Sequence, residues 1–182
     1  MEKERMIEGE GQRREYSRVG AYIPFEYRIV AVEEKDHIQA RISGDAAAPE
    51  LRPLPDMGDH DYIFGEWLKI LNLKLDTVIR LITLQSEGFF GLPFKAVSIS
   101  GGGMSFLLPQ AIAPGTILEI KLMLTRNQPV AMRIYGEVTK SVQRDDIYFI
   151  AVRYVHMDVS IRDEIIRFVF EREREIIRKK RS

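Results

Sequence analysis

Between Phe94 and His156 the chain is cut into short alternating segments by glycine, proline and acidic turns, and that spacing allows few folds. Phe94 to Ile99 runs into Gly101-Gly102-Gly103, and Met104 to Leu108 runs out. Pro109 and Pro114-Gly115 close the next connection. Ile117 to Leu124 then alternates, with Leu118, Ile120, Leu122 and Leu124 on one face and Glu119 and Lys121 on the other. Asn127-Gln128-Pro129 reads as a turn, Ala131 to Val142 as a long strand, Arg144-Asp145-Asp146 as another turn, and Ile147 to His156 as the last strand. Gly136, inside the long strand, marks an expected bend or bulge at a barrel corner. Strands at this spacing point to a small closed barrel.

The segment before them supplies one more strand and a helix. Phe25, Tyr27, Ile29 and Ala31 alternate with Glu26, Arg28, Val30 and Val32, and His37 to Ser43 continues the sheet after a turn at Glu34-Lys35-Asp36. Gly44 to Gly58, with three prolines, reads as a connector. Asp59 or Asp61 is placed to cap the helix that follows, where a carboxylate accepts orphan amide protons. Phe64, Leu68, Leu71, Leu75, Val78 and Ile82 recur on that helix at alternating steps of four and three, a heptad seam. Trp67, Ile70, Leu73, Ile79, Leu81 and Leu84 lie outside the seam, so the helix is apolar on more than one side. A helix resting on a barrel needs one stripe only. The surplus favours self-association, as a dimer or tetramer, over burial between barrel and C-terminal helix within one chain.

A last helix is expected from Ser160, with Asp163 in a capping-box position and Ile161, Ile165, Phe168 and Val169 as its buried stripe. Its end, Arg178-Lys179-Lys180-Arg181, suits the negative pole of a helix.

Charge and composition exclude several functions. Lys plus Arg equals Asp plus Glu at 27 each, so no net field draws the 182-residue chain to nucleic acid or an anionic membrane. The absence of cysteine removes disulfides, thiolate metal sites and cysteine nucleophiles. No apolar run approaches a membrane span and Met1 to Arg14 has no signal-peptide core, so a cytoplasmic protein is expected. His37, His60 and His156 are scattered, which leaves Ser98 and Ser100 as turn hydroxyls rather than nucleophiles. Asp56, Asp59, His60 and Asp61 match neither a calcium loop nor a zinc motif. Gly101-Gly102-Gly103 lacks the following Lys-Ser/Thr of a nucleotide-triphosphatase loop. No enzymatic constellation emerges.

What remains is a pair of segments far apart in sequence. Gln12-Arg13-Arg14-Glu15-Tyr16-Ser17-Arg18 is an arginine-rich arm, and Val97-Ser98-Ile99-Ser100-Gly101-Gly102-Gly103-Met104 is a hydroxyl- and glycine-rich strand turn. Together they resemble the bipartite signature of the PilZ family, bacterial receptors for cyclic di-GMP. Arg14 and Arg18 fit its RxxxR motif, with Arg13 as a further arginine, and Ser100 and Gly103 fit its Asp/Asn-x-Ser-x-x-Gly motif. Ser98 stands where Asp or Asn is usual, and Ala151 where glycine is usual. Tyr135-Gly136-Glu137-Val138 and Ala151-Val152-Arg153-Tyr154 resemble the later barrel strands.

The resemblance covers about residues 13 to 170 apart from an insertion near 45 to 90, and that insertion resembles the helical one of atypical tetrameric PilZ proteins. It implies a mainly β protein: a flexible arm over 1–20, a six-stranded PilZ-like barrel over 21–158 interrupted by the inserted helix at about 45–90, and a C-terminal helix over 159–182. It implies that Arg13, Arg14, Arg18, Ser98, Ser100 and Gly103 bind cyclic di-GMP, with no other cofactor, and that the signal passes to a downstream protein. Binding would order the arm. The alternative is a degenerate member that binds no nucleotide and serves as an oligomeric scaffold.

Overall fold

The computed structural model describes residues 16–44, 62–125 and 129–181, without the side chains of Asp36, Tyr62, Ile63 and Arg181. Seven strands and two helices form it: β1 (Arg18–Ile29), β2 (Arg41–Ser43), α1 (Tyr62–Ser86), β3 (Phe94–Ser100), β4 (Gly103–Leu108), β5 (Ile117–Leu124), β6 (Val130–Arg144), β7 (Ile147–Val155) and α2 (Val159–Arg181). Antiparallel pairing runs β6-β5-β1-β3-β4-β7 and closes through β6–β7 into a six-stranded barrel, while β2 adds to the outer part of β6. Closure removes the open edges that an antiparallel sheet otherwise presents.

The expected strand alternation becomes the barrel wall. Leu118, Ile120, Leu122 and Leu124 of β5 point into the core with no exposed surface, as do Phe25, Ile99, Ile134 and Ile150 from other strands. α2 lays Ile161, Ile165, Phe168 and Val169 against the same core, in contact with β1 and β3. A separate cluster of Leu84, Phe89, Leu92, Met123 and Ala131 seats the C-terminal end of α1 outside the barrel.

Several details differ from expectation. β1 begins at Arg18, so residues 18–20 belong to the wall rather than to an arm; their pairing with Ser98 to Ser100 supplies partners for the backbone amides. The strand ends at Ile29, and Val32–His37 forms a 3-10 turn that leaves Ile29 exposed. The irregularity in β6 falls at Thr139, between Val138 and Lys140, not at Gly136. At Gly136 a Cβ would lie 3.1 Å from Cβ of Val152, a tight contact. Glu119 lies on the expected face but is buried there, and its carboxylate accepts from Arg28 at 2.8 Å, Arg133 at 3.0 Å and Tyr135 at 3.2 Å. α2 starts at Val159, with the Arg162 amide donating to the Asp158 carbonyl at 3.1 Å, so Ser160 lies inside its first turn. The connector, the capping aspartates Asp59 and Asp61, and most of the Asn127 turn lie outside the described residues.

α1 is not buried between barrel and α2. Phe64, Leu71, Leu75, Val78 and Ile82 of the seam are about half exposed or more, as are Trp67, Leu73 and Ile79 off it; Leu68 is half-buried. Leu84 is the core residue near its end, and Arg80 approaches Gly44.

Candidate functional site

The two motif halves meet at one corner of the barrel. Arg18, first residue of β1, is the register partner of Ser100, last residue of β3; Ser100 in turn pairs with Gly103, first residue of β4. Arg18 is exposed, and among the described residues no ion pair involves it. Ser100 is buried and donates its hydroxyl to the Gly103 carbonyl at 3.0 Å, which fastens the tight turn. Gly103 has a spatial reason to be glycine: a Cβ would stand 2.2 Å from the Val152 carbonyl oxygen of β7. β4 and β7 therefore run unusually close at this row.

Ser98 lies one row along the same face, opposite Gly20 on β1 and Ser105 on β4, and Ser105 is opposite Ala151 on β7. From Gly20 to Ala151 this row carries only short side chains, and Lys140 of β6 faces Ala151 at its end. Arg13 and Arg14 lie outside the described residues.

The turn is roofed by a residue the sequence did not single out. Ring carbons of Tyr16 lie 2.8 Å from where a Cβ would stand on Gly101 and 3.2 Å from one on Gly102, with Ile166 of α2 completing the cover over Gly101. Arg162 of α2 donates to the Tyr16 hydroxyl at 3.4 Å, and the Ser17 hydroxyl donates to Glu173 of α2. Tyr16 and Ser17 are thus held by the C-terminal helix. The sequence signal was available, an aromatic and a hydroxyl inside RxxxR facing paired glycines, but nothing in it indicated α2 as the partner.

Two further groups border the corner. The Tyr154 hydroxyl is buried with no hydrogen-bond partner among the described residues; burial pushes its pKa well up, and the nearby Arg18 charge opposes that shift. Arg153, register partner of Gly103, is exposed and pairs with Glu137 of β6 at 2.7 Å.

A cavity of about 620 Å³ elsewhere, lined by His37, Arg41, Arg133, Tyr135, Asp158 and other residues, includes none of the expected site residues. Its arginines are occupied, Arg133 by Glu119 and Arg41 by Glu87. No group of three metal-ligating side chains, and no helix long and apolar enough to cross a membrane, occurs among the described residues.

The fold is that of a small closed six-stranded antiparallel β-barrel with a C-terminal helix packed on its core and Arg18 paired with Ser100 at the Ser–Gly strand turn. Residues 74–171, more than half of the chain, match the family model of the PilZ domain, and the chain belongs to that family. The matched segment holds Ser98, Ser100 and Gly103 but not the arginine arm. Among solved structures the chain is similar to a protein of Xanthomonas campestris described as a new tetrameric PilZ domain self-assembled via an unusual helical bundle, with 17% identity, a TM-score of 0.56 and 90% of each chain covered. No curated protein matches the chain in sequence.

Proposed function

We propose that this protein is a cytoplasmic cyclic di-GMP receptor that acts by binding rather than catalysis, self-associates through α1 and passes its signal to a downstream protein by contact. The observation that carries this reading is the pairing of Arg18 with Ser100, which sets an exposed arginine, without an ion pair among the described residues, at the start of the strand facing the serine–glycine turn. Cyclic di-GMP carries two phosphates and two guanines, and an arginine fork matches both a phosphate and the O6/N7 edge of guanine. Tyr16 and Ile166 cover Gly101 of the turn, but the stretch of Gly20, Ser98, Ser105 and Ala151 beside it carries short side chains, so a flat ligand can approach the backbone there. Arg13 and Arg14 precede this point by a few residues and would add positive charge from the arm.

Ser98 weakens the expected recognition. It lacks the charge and second acceptor of Asp, and losing a hydrogen bond to a charged group costs about 1.5–3 kcal/mol, roughly a tenfold to hundredfold drop in affinity. That observation, with the exposed apolar α1, also supports a second reading in which the barrel binds no nucleotide and the oligomer is a scaffold. A tetramer built through a helical bundle, as in the Xanthomonas campestris protein, is the assembly α1 suits by analogy.

Isothermal titration calorimetry with cyclic di-GMP separates the two. Saturable binding by the wild type that is lost in Arg18→Ala supports the receptor. No heat at high micromolar ligand leaves the scaffold.

A further inference from the structure

The Arg153–Glu137 pair stands on the same row of the wall as the candidate site. Ser100 pairs with Gly103, Gly103 with Arg153, and Arg153 with Glu137, so one line of register crosses β3, β4, β7 and β6. At about 4.8 Å per strand, Arg153 lies roughly 10 Å from Ser100 along the wall. Only Gly103 intervenes, and it has no side chain. The adjoining row of Ser98, Ser105 and Ala151 is short-chained as well.

Those four strands contain a single acidic residue, Glu137, and β7 contains a single basic one, Arg153. Both point outward, since their neighbours Gly136, Val138, Val152 and Tyr154 are buried. The pair is held at 2.7 Å with Arg153 67% and Glu137 32% exposed, so its remaining donors and acceptors are open to a ligand. The exposed pair contributes little to folding.

We propose that this pair reads the guanine base whose recognition Ser98 cannot complete, an inference that rests on the receptor reading above. Arg153 donates to O6 and N7, and the Glu137 carboxylate accepts from the N1 and N2 protons. Guanine alone among the common bases offers that combination of acceptors and donors. The carboxylate normally supplied from β3 is thereby supplied from β6, three strands along the wall, past Gly103 of β4 and Arg153 of β7. Guanine specificity in this chain then resides in Glu137 and Arg153, while Arg18 and the arm bind phosphate.

The test is calorimetric titration of wild type, Arg18→Ala, Arg153→Ala and Glu137→Gln with cyclic di-GMP and with cyclic di-IMP, whose base lacks the N2 amino group. Circular dichroism checks that each variant is folded. The wild type is expected to bind cyclic di-IMP roughly tenfold or more weakly than cyclic di-GMP. Glu137→Gln is expected to lose a similar factor for cyclic di-GMP and to bind the two ligands nearly alike, and Arg153→Ala to weaken both. If the wild type binds, Arg18→Ala abolishes binding, and both Glu137→Gln and Arg153→Ala bind as the wild type does, the assignment of the pair is overturned while the receptor reading stands. If the wild type binds neither ligand, the receptor reading is overturned, and this inference with it.

Discussion

Arg162 grips Tyr16 twice, donating to its hydroxyl at 3.4 Å and placing its guanidinium carbon 5.9 Å from the ring centre. Its own Nε is buried without a hydrogen-bond partner among the described residues. With Ser17 bonded to Glu173, two successive residues ahead of β1 are tied to a helix from the far end of the chain. Any ligand that draws the arm toward itself pulls on α2. Tyr16→Ala, which strips the cover from Gly101 and Gly102, is expected to destabilise the fold by about 1–2 kcal/mol in urea unfolding. Tyr16→Phe keeps the ring and is expected to cost about 0.5–1 kcal/mol. Equal losses for the two variants would show that the hydroxyl, not the ring, holds the arm.

Gly103 and Gly20 make a paired test of why glycine occurs at this corner. A methyl group on Gly103 meets the Val152 carbonyl oxygen at 2.2 Å, and that atom is backbone in a paired strand and cannot rotate away. Gly20, two residues into β1 from Arg18, has nothing within 4 Å of the same position. Gly103→Ala is expected to lose about 3 kcal/mol or more and Gly20→Ala to be near neutral, read as shifts of the urea midpoint. A tolerated Gly103→Ala would mean that β4 and β7 can part without cost.

Glu119 anchors β1, β5 and β6 from outside the barrel core. It is 3% exposed and accepts from two arginines and a tyrosine, so removing it leaves the buried Tyr135 hydroxyl without this acceptor and the half-buried Arg133 with Glu87 at 4.0 Å. Glu119→Ala is expected to cost about 3 kcal/mol, near the lower end for breaking a buried pair because Arg28 is half exposed and can turn to water. Glu34→Ala removes only the solvent-exposed partner of Arg28 and is expected to change the thermal midpoint little.

Burial raises the pKa of both Tyr154 and Tyr135 above the ordinary tyrosine value of 10.0. The unfolded chain therefore releases these protons first as pH rises, and stability falls above about pH 10, by about 1.4 kcal/mol per pH unit for each tyrosine still protonated in the fold. Below pH 10 the contribution is fully present. Tyr154→Phe removes one such group, so its stability is expected to decline less steeply between pH 10 and 11 in denaturant titrations. At pH 7 the same variant is expected to be as stable as wild type or more so, because the hydroxyl it deletes has no partner among the described residues.

Much of the barrel was legible because its strands bury one face, and period-two alternation records that directly, as Leu118 to Leu124 show. The stripe of α2 was legible for the same reason at helical period. Alternation put Glu119 on the right face, but it reports which face a residue occupies, not whether that face is also covered. Here two arginines and a tyrosine from neighbouring strands close over it. Gly136 was read as a bend or bulge because its side chain is missing, yet the bulge falls on Thr139, whose hydroxyl bonds the Ala151 carbonyl at 3.1 Å, while Gly136 packs closely on Val152. In the site, Ser100 and Gly103 were legible as a turn and Arg18 as its companion by resemblance. Tyr16, Arg153 and Glu137 were not, because their significance lies in cross-strand register and in the position of α2, which no local pattern encodes.

The exposed face of α1 carries the sharpest expectation about assembly. Leu71 is 52% and Val78 50% exposed in the single chain, on one heptad seam, while Trp67 at 65% and Leu73 at 67% lie off it. Water-exposed apolar surface on several sides of one helix is unfavourable for a monomer and suits a bundle of more than two helices, where each presents more than one contact stripe. Leu71→Asp with Val78→Asp sets carboxylates into the seam of every copy, where like charges and desolvation oppose association. The double variant is expected to yield smaller species than wild type by multi-angle light scattering, with the circular dichroism of the barrel strands retained. A wild type that already runs as a monomer would remove self-association from the reading and leave α1 as a surface for another protein.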